Sequence, residues 1–231
     1  MSDKKVYIFP SCASKLFDNN QKSTMIYKLE SILRKLNYEV IFLSLTNECC
    51  GLMYDSMGQK KVAEKKLKSI IQKIKDLIGN SKAPILVENS SCVLEFLAYK
   101  NLVEELPNFK ESIAFIHDEL KNYPLKKQEK TAMLHINCSV TKLKKGDEVV
   151  SLAKRCVSDI IIPNDILCCG FAGSKGFIHP ELNINALKNL QEQIPENCHI
   201  GYTCLETCTL GFSKHSGIPY SSIYHLIDEC M

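Results

Sequence analysis

Two Cys-Cys-Gly triplets, at residues 49–51 and 168–170, are the strongest sign of metal or redox chemistry in this 231-residue chain. A single cysteine precedes each triplet at the end of an apolar run, and another follows it after a later run. The matching thiols are Cys12, Cys49, Cys50 and Cys92 in the first half, and Cys138, Cys168, Cys169 and Cys208 in the second. Thiolates bind soft metals and carry redox chemistry, so this repeated pattern predicts a metal or redox centre in each half.

The spacing of these cysteines favours an iron–sulfur cluster over a single zinc ion. Zinc sites usually contain close cysteine pairs, whereas this chain has no C-x-x-C pair and reads C-x36-CC-x41-C and C-x29-CC-x38-C. Long separations suit ligands that several strand ends bring around a larger object, such as a cluster held by thiolates. Gly51 and Gly170 permit the backbone bend that turns two adjacent cysteines toward one ligand, so both are candidate cofactor-binding residues.

The cysteines have three alternative roles that remain open. They could be buried free thiols that pack as small hydrophobic groups, a disulfide framework, or a thiol redox centre without metal. Cys156, Cys198 and Cys230 fall outside the repeat, and we expect them to be buried thiols. Cys204 is ambiguous, because it lies four residues before Cys208 and one helical turn brings such residues to the same side.

Composition narrows the class of protein. Charged residues make up 24% of the chain and hydrophobic ones 45%, as in ordinary globular domains, and the net charge is +3. So small a charge argues against a nucleic-acid partner. The N-terminus lacks the apolar region of a signal peptide, and no apolar run approaches the roughly 20 residues that span a bilayer. We therefore expect a cytoplasmic protein that reaches the inner face of a membrane only through partners.

Short apolar strands alternate with amphipathic helices, which predicts parallel sheets with helices on both faces. The predicted strands are 5–10, 39–43, 84–89, 131–137, 158–163 and 199–203. In the second half, helices are predicted at 146–156 and 180–193. In the first half, apolar residues recur at helical spacing at Met25, Leu29, Ile32, Leu33 and Leu36, and again at Ala63, Leu67, Ile70, Ile71, Ile74 and Leu77.

The second half repeats the order of the first. Positions 12 and 138, 49 and 168, and 92 and 208 correspond, with separations of 126, 119 and 116 residues. The chain is thus predicted to be an α/β protein of two pseudo-repeated Rossmann-like lobes, 1–122 and 131–231, joined by a polar linker at 121–130. Each cysteine then lies at the C-terminal end of a strand or in the loop after it, which is where parallel sheets bind ligands.

Several motifs in order resemble the CCG-domain, or cysteine-rich, iron–sulfur family. They are VYIFPSCASKLF, ECCGLMYDSMG, LHINCSVTKL, LCCGFAGSKGFIHPEL, TCTLGFS and YSSIYHLIDEC. Within that family, the motifs resemble the C-terminal iron–sulfur region of FAD-linked D-lactate dehydrogenases and the glycolate oxidase and lactate-utilisation iron–sulfur subunits. The chain resembles the cysteine-rich subunit of heterodisulfide reductases more distantly. In that relative each half ends in C-x-x-C, whereas Asn89 and Leu205 stand at the first position of those pairs here.

The resemblance implies an oxidoreductase subunit that transfers electrons through a [4Fe-4S] cluster in each lobe, held by the eight matching cysteines. An FAD-containing dehydrogenase subunit would oxidise the 2-hydroxyacid, with D-lactate favoured, and a ferredoxin-like iron–sulfur protein is a further partner. The chain itself would then have no independent dehydrogenase activity. Two alternatives remain open: a catalytic subunit of the heterodisulfide reductase type that acts on a thiol or disulfide, and a metal-dependent sensor or scaffold.

Further polar residues lie near the cysteines in sequence. Ser90, Ser91, Thr203 and Thr207 are close enough to donate hydrogen bonds to sulfur, or else to form helix caps and turns. His135 and His179 are neighbours of a cluster or proton acceptors, or else structural or surface histidines, which is the favoured interpretation.

Overall fold

The computed structural model describes residues 4–17, 24–99, 101 and 108–231, and the chain divides into two compact units, Met1–Asp118 and Glu119–Met231. Each unit contains one four-stranded sheet. Strand β5 of the second unit begins at Gln128, inside the segment 121–130 that the sequence suggested as a linker. It begins there because Gln128 already pairs with Val157 on the neighbouring strand.

The first unit is a parallel sheet with strand order β2-β1-β3-β4 and helices in its connections. Its strands are β1 (Lys5–Phe9), β2 (Glu39–Phe42), β3 (Ile85–Val87) and β4 (Phe109–Glu111). Its described helices are α1 (Cys12–Phe17), α2 (Met25–Lys35), α3 (Leu52–Ser56), α4 (Lys60–Ile78), α5 (Ser90–Ala98) and α6 (Ser112–Glu119).

The second unit repeats this topology, with parallel strands in the order β6-β5-β7-β8. Its strands are β5 (Gln128–Leu134), β6 (Val157–Ile161), β7 (Cys198–Thr203) and β8 (Tyr220–Ser222). Its α-helices are α7 (Cys138–Lys142), α8 (Gly146–Cys156), α9 (Lys175–Ile178), α10 (Pro180–Leu187), α11 (Glu206–Ser216) and α12 (Ile223–Cys230).

The buried faces of the helices follow the predicted apolar periodicity. Helix α2 buries Met25, Leu29, Ile32 and Leu33, and α4 buries five of the six residues assigned to its apolar face. The sixth, Leu77, is 48% exposed, and Ile78 is buried in its place at the end of α4. A helical face drifts with each turn because 3.6 residues per turn is not a whole number, so the last residue of a long stripe is the least securely assigned.

The predicted α/β architecture of two parallel sheets flanked by helices is confirmed. Two elements differ from the prediction. Strands β4 and β8, three residues each, were not expected, and the predicted helix 180–193 is α10 followed by a separate 3-10 helix, Gln191–Gln193. The break is stabilised by the Gln193 side chain, which donates to the Asn189 and Asn164 carbonyls. Within the described ranges, no helix combines the length and apolar character needed to cross a membrane.

Candidate metal centres

The four thiols of the first unit, Cys12, Cys49, Cys50 and Cys92, form what we call site one. Cys12 opens α1 just after β1, and Cys92 is the third residue of α5, just after β3. The adjacent pair lies in the loop between β2 and α3. Since β1, β2 and β3 are parallel neighbours, their C-terminal ends bring these three segments to one edge of the sheet.

The sulfur atoms of site one lie next to one another in the order Cys12, Cys49, Cys50 and Cys92. The Sγ atoms of Cys50 and Cys92 are 3.2 Å apart. Cys49 hydrogen-bonds to the thiols of Cys12 and Cys50, and the backbone N–H of Gly51 donates to the Cys49 sulfur at 3.4 Å. Residues separated by up to 80 positions in the chain thus form one continuous group of thiols.

The second unit builds the same arrangement, which we call site two, from Cys138, Cys168, Cys169 and Cys208. The Sγ atoms of Cys169 and Cys208 are 3.2 Å apart, as in the matching pair of site one. Cys168 hydrogen-bonds to Cys138 and Cys169 and accepts the Gly170 N–H at 3.3 Å. The structure therefore brings all eight predicted metal-ligating cysteines into two groups of four, one in each unit.

Each site favours a thiolate at the first cysteine of its triplet. Hydrogen bonds from Cys12, and next from Cys50, lower the pKa of Cys49 far below that of a free thiol. Hydrogen bonds from Cys138, and next from Cys169, lower the pKa of Cys168 in the same way. The hydrogen bond to Cys49 and burial together raise the pKa of the Cys12 thiol. Because the thiolate is the form that binds metal, each site holds at least one ligand ready for coordination.

Glycine is required in both triplets by backbone geometry. Gly51 has φ +101°, and a Cβ atom there would lie 2.7 Å from the carbonyl oxygen of Ala63 on α4. Gly170 has φ +79°, and its Cβ would lie 2.5 Å from the carbonyl oxygen of Leu182 on α10. Only glycine fits both the left-handed conformation and the close approach of a helix backbone. The glycines thus position the cysteine loops, and the contacts that require them are with protein backbone.

Each site has a dry side and an open side. The second cysteine of each triplet and the cysteine on the following helix are buried, with exposed fractions of 3% for Cys50 and 2% for Cys208. The remaining two cysteines of each site are partly exposed. All twelve cysteines lie in the described part of the chain and are free thiols. Within the same ranges, no group of three or more potential ligands is arranged around a position for one metal ion.

Asn89 and Leu205, the residues three positions before the last cysteine of each site, have structural roles. Asn89 caps α5, and its side-chain oxygen accepts the Ser91 N–H at 3.0 Å. Leu205 is buried in the apolar cluster beside Cys169 and Cys208. Cys204 is 1% exposed and corresponds in the repeat to Glu88. The Glu88 carboxylate accepts the Ser11 N–H at 2.6 Å. Asn89 and Leu205 therefore add no fifth thiolate to either site.

The polar residues singled out from sequence separate into two groups. His135 is 1% exposed and lies beside Cys208. Thr203 is fully buried at the end of β7, and its hydroxyl oxygen has no hydrogen-bond partner among the described residues. His179 is exposed and lies 3.2 Å from a Glu181 oxygen, so it is a surface residue. Ser90 is buried, whereas Ser91 and Thr207 are only partly buried.

Sequence reasoning missed three residues that support the sites. Lys15 donates to the Leu45 carbonyl at 2.8 Å and so connects α1 with the loop that leads to the first triplet. Asn183 of α10 donates to the Cys169 carbonyl. Glu95 lies one helical turn after Cys92 on the buried face of α5, and its only sequence signal is a charge between the apolar Val93 and Phe96.

Glu95 is a buried carboxyl group next to site one. Its side chain is 3% exposed, and its Oε1 atom has no hydrogen-bond partner among the described residues. The pKa of Glu95 is raised from 4.5 to about 7, mainly by burial and to a smaller extent by the nearby Asp55 and Cys49. The folded chain therefore holds this proton at pH values at which the unfolded chain has lost it.

Replacing Glu95 with glutamine should change how stability depends on pH. Between about pH 4.5 and 7 the native carboxyl binds more protons than the unfolded one, so the wild-type free energy of unfolding falls as pH rises, by at most about 3 kcal/mol. Glu95→Gln removes this fall. Urea unfolding of the metal-free chain at pH 5.5 and 8 measures it, with Glu64→Gln on α4 as surface control. Equal pH dependence in wild type and Glu95→Gln would contradict the assignment.

Over the whole chain, comparison with known proteins finds only solved structures of low sequence identity. None of the curated proteins compared with it matches. Among solved structures, an aspartate racemase homologue from Pyrococcus horikoshii OT3 is 14% identical, with 98% of this chain and 96% of that chain covered and a TM-score of 0.42. A candidate Asp/Glu racemase from Yersinia pestis is 11% identical, with 97% and 96% covered and a TM-score of 0.40. Likenesses this weak say nothing about activity.

The first unit matches a protein family. Residues 6–96 match the model of the CCG family, which is described as a cysteine-rich domain. The matched range includes all four thiols of site one and Gly51. The match supports an iron–sulfur, electron-transfer role for the chain. Over these residues, less than half of its length, the chain is similar to the cysteine-rich CCG domains.

Proposed function

We propose that this chain is the iron–sulfur electron-transfer subunit of a flavin-linked 2-hydroxyacid dehydrogenase, with D-lactate as the favoured substrate. The observation that carries the proposal is the repetition of one four-thiol site at the same sheet edge of both units. A structural role for the cysteines would not require the same contacts twice. The cysteine-rich family match over the first unit supports the same function.

The donor set of each site fits an iron–sulfur cluster. Four thiols, one of them favoured as thiolate, provide the ligands that [4Fe-4S] clusters use, and such a cluster would supply one-electron transfer. Iron displaces the thiol protons on binding, which replaces the sulfur–sulfur hydrogen bonds of the metal-free site. Among its described residues, site two also offers polar atoms without a hydrogen-bond partner, Nε2 of His135 and Oγ1 of Thr203, which suits a sulfur-rich group as acceptor.

The protein would control the reaction through burial and access. The buried cysteines exclude water from the inner side of each site, and the partly exposed ones leave a short path to a docked partner. Hydride transfer from the hydroxyacid needs a flavin, which we assign to an FAD-containing partner subunit, with a ferredoxin-like protein as a further electron carrier. The chain would then act in the cytoplasm, near the inner face of the membrane through its partners.

Anaerobic reconstitution with iron and sulfide tests this function. We expect iron and acid-labile sulfide in amounts that correspond to two clusters per chain, and an EPR signal after reduction. Adding the FAD-containing subunit and D-lactate should reduce the clusters, whereas the subunit without lactate should not. Reconstituted chain with no iron–sulfur EPR signal would overturn the proposal. Clusters that lactate and the flavoprotein fail to reduce would leave the cluster assignment standing but overturn the choice of substrate or partner.

The sulfur contacts also support a second candidate, a dithiol redox centre without metal. The 3.2 Å separations in the pairs Cys50–Cys92 and Cys169–Cys208 bring two thiols within reach of each other. In that case the metal-free chain would reduce an added disulfide with electrons from a chemical donor, and added iron would inhibit the reaction. A catalytic role of the heterodisulfide reductase type gains no support from Asn89 and Leu205, because a cap and a packed leucine stand where further thiolates would lie.

A further inference from the structure

Sites one and two have the same cysteines, but the residues around them differ in polarity. Phe9 and His135 occupy the same position, three residues before the first cysteine of their sites, and are separated by the same 126 residues as Cys12 and Cys138. Phe9 packs edge-on against Phe96, with ring centroids 5.3 Å apart. His135 packs against Phe212, with ring centroids 4.2 Å apart and the rings tilted by 31°. One aromatic pair therefore appears in both units, with a histidine in only one of them.

The structure orients His135 firmly. Its backbone N–H donates to the Tyr202 carbonyl at 2.9 Å, which fixes the residue at the end of β5 beside β7. The Phe212 ring covers one face of the imidazole, and the side chain is 1% exposed. The ring lies beside the Cys208 thiol, and its Nε2 atom has no hydrogen-bond partner among the described residues. A buried ring nitrogen held beside a ligand sulfur is available as a donor to the sulfur of a bound cluster.

Two further pairs of matching positions also differ in polarity between site one and site two. Thr203, whose buried hydroxyl has no partner among the described residues, corresponds in the repeat to the apolar Val87 of site one. Glu95 of site one corresponds to Gly211, where a side chain would meet Asn183 at 2.7 Å and Phe171 at 2.9 Å. Site two therefore has additional donors, and site one has a buried carboxyl group. Donors to sulfur favour the reduced cluster.

We propose that His135 is a positioning residue that donates a hydrogen bond to the Cys208 sulfur and raises the reduction potential of the site-two cluster above that of site one. Electrons that enter the chain then collect at site two, which delivers them to the acceptor. This inference rests on the proposed function, because it needs a cluster in each site. It requires only an N–H donor, which imidazole provides in its neutral form.

Redox titration of the reconstituted full-length chain, followed by EPR, tests the proposal. His135→Phe places in site two the residue that site one has naturally, and we expect it to lower the site-two potential. The constant for electron sharing between the clusters should change about tenfold, which is about 59 mV for one electron. His135→Gln keeps a side-chain N–H and should restore much of the difference. His179→Gln, at an exposed histidine of the same unit, should leave both potentials unchanged.

Iron content separates the failure of this inference from the failure of the proposed function. Wild-type chain without clusters would refute the function itself. Variants with full iron and sulfide but with wild-type potentials would overturn the role of His135 and leave the function intact. Loss of half the iron in both His135→Phe and His135→Gln would also overturn it, because His135 would then be a ligand. A lowered site-two potential in His135→Phe, at unchanged iron content, supports the proposal.

Discussion

Replacing Gly170 with alanine is expected to destabilise the chain by about 3 kcal/mol and to prevent iron binding at site two. The left-handed conformation at φ +79° costs a residue with a Cβ about 1 kcal/mol. The Cβ would also overlap backbone atoms, at 2.5 Å from the Leu182 oxygen and 2.7 Å from Asn183 Cα. Backbone of α10 cannot move aside as a flexible side chain can, and overpacking of this kind costs a further 1–3 kcal/mol, roughly.

Asn183 gives this substitution an effect on chemistry as well as on stability. Its side chain donates to the Cys169 carbonyl, so moving α10 to admit the methyl group also moves the cysteine loop. Gly217→Ala is the matched control: φ is +80°, and the nearest contact is a flexible Gln191 side chain at 3.4 Å. The control should cost about 1 kcal/mol and keep its iron. Thermal unfolding and iron analysis of both variants check this, and equal losses in the two would show that the helix contact is unimportant.

Replacing Cys169 with alanine is expected to remove about half of the iron from the reconstituted chain, because one of two four-thiolate sites is lost. Its sulfur is buried and lies 3.2 Å from the Cys208 sulfur, so the remaining thiols of site two lose a ligand from the dry side of the site. Loss of one thiolate ligand prevents stable four-thiolate coordination. Cys50→Ala should remove the other half in the same way, because it occupies the matching position of site one.

Cys198 provides an unusually close control for this experiment. It lies in the same unit, is 2% exposed, and packs in the same apolar cluster as Cys169 and Cys208, but its sulfur donates to the Ile200 carbonyl. Cys198→Ala should therefore keep full iron and sulfide. Iron analysis together with EPR distinguishes the variants. If Cys169→Ala and Cys50→Ala kept wild-type iron, the two thiols would be packing residues and the sites would need different ligands.

The cysteine groups could be anticipated from sequence because period-2 and period-3.6 patterns locate strand ends. In a parallel sheet, strand ends that are neighbours bring their loops together regardless of the length of chain between them. The loops that carry Cys12 and Cys92 lie at the same sheet edge in this way, since β1 and β3 are adjacent in the sheet. The duplication strengthened the prediction, because each half served as a check on the other.

Burial of charge could not be anticipated in the same way. Glu88 and Glu95 are buried beside site one although charged residues are normally exposed, and only the three-dimensional arrangement shows what surrounds them. The three-residue strands β4 and β8 were missed because so short a run carries no periodicity. The helix backbones that require Gly51 and Gly170 are likewise contacts between segments distant in the chain.

The close approach of paired sulfurs has a consequence for the metal-free protein in air. Within each pair, Cys50–Cys92 and Cys169–Cys208, two thiols already touch. Dioxygen can take two electrons and two protons from such a pair, forming hydrogen peroxide while the sulfurs join covalently. A chain oxidised in this way has lost two ligands in each unit and cannot take up iron until a reductant such as a dithiol cleaves the bonds. Iron that reaches the chain before oxygen thus needs no reductant, whereas iron that arrives afterwards does.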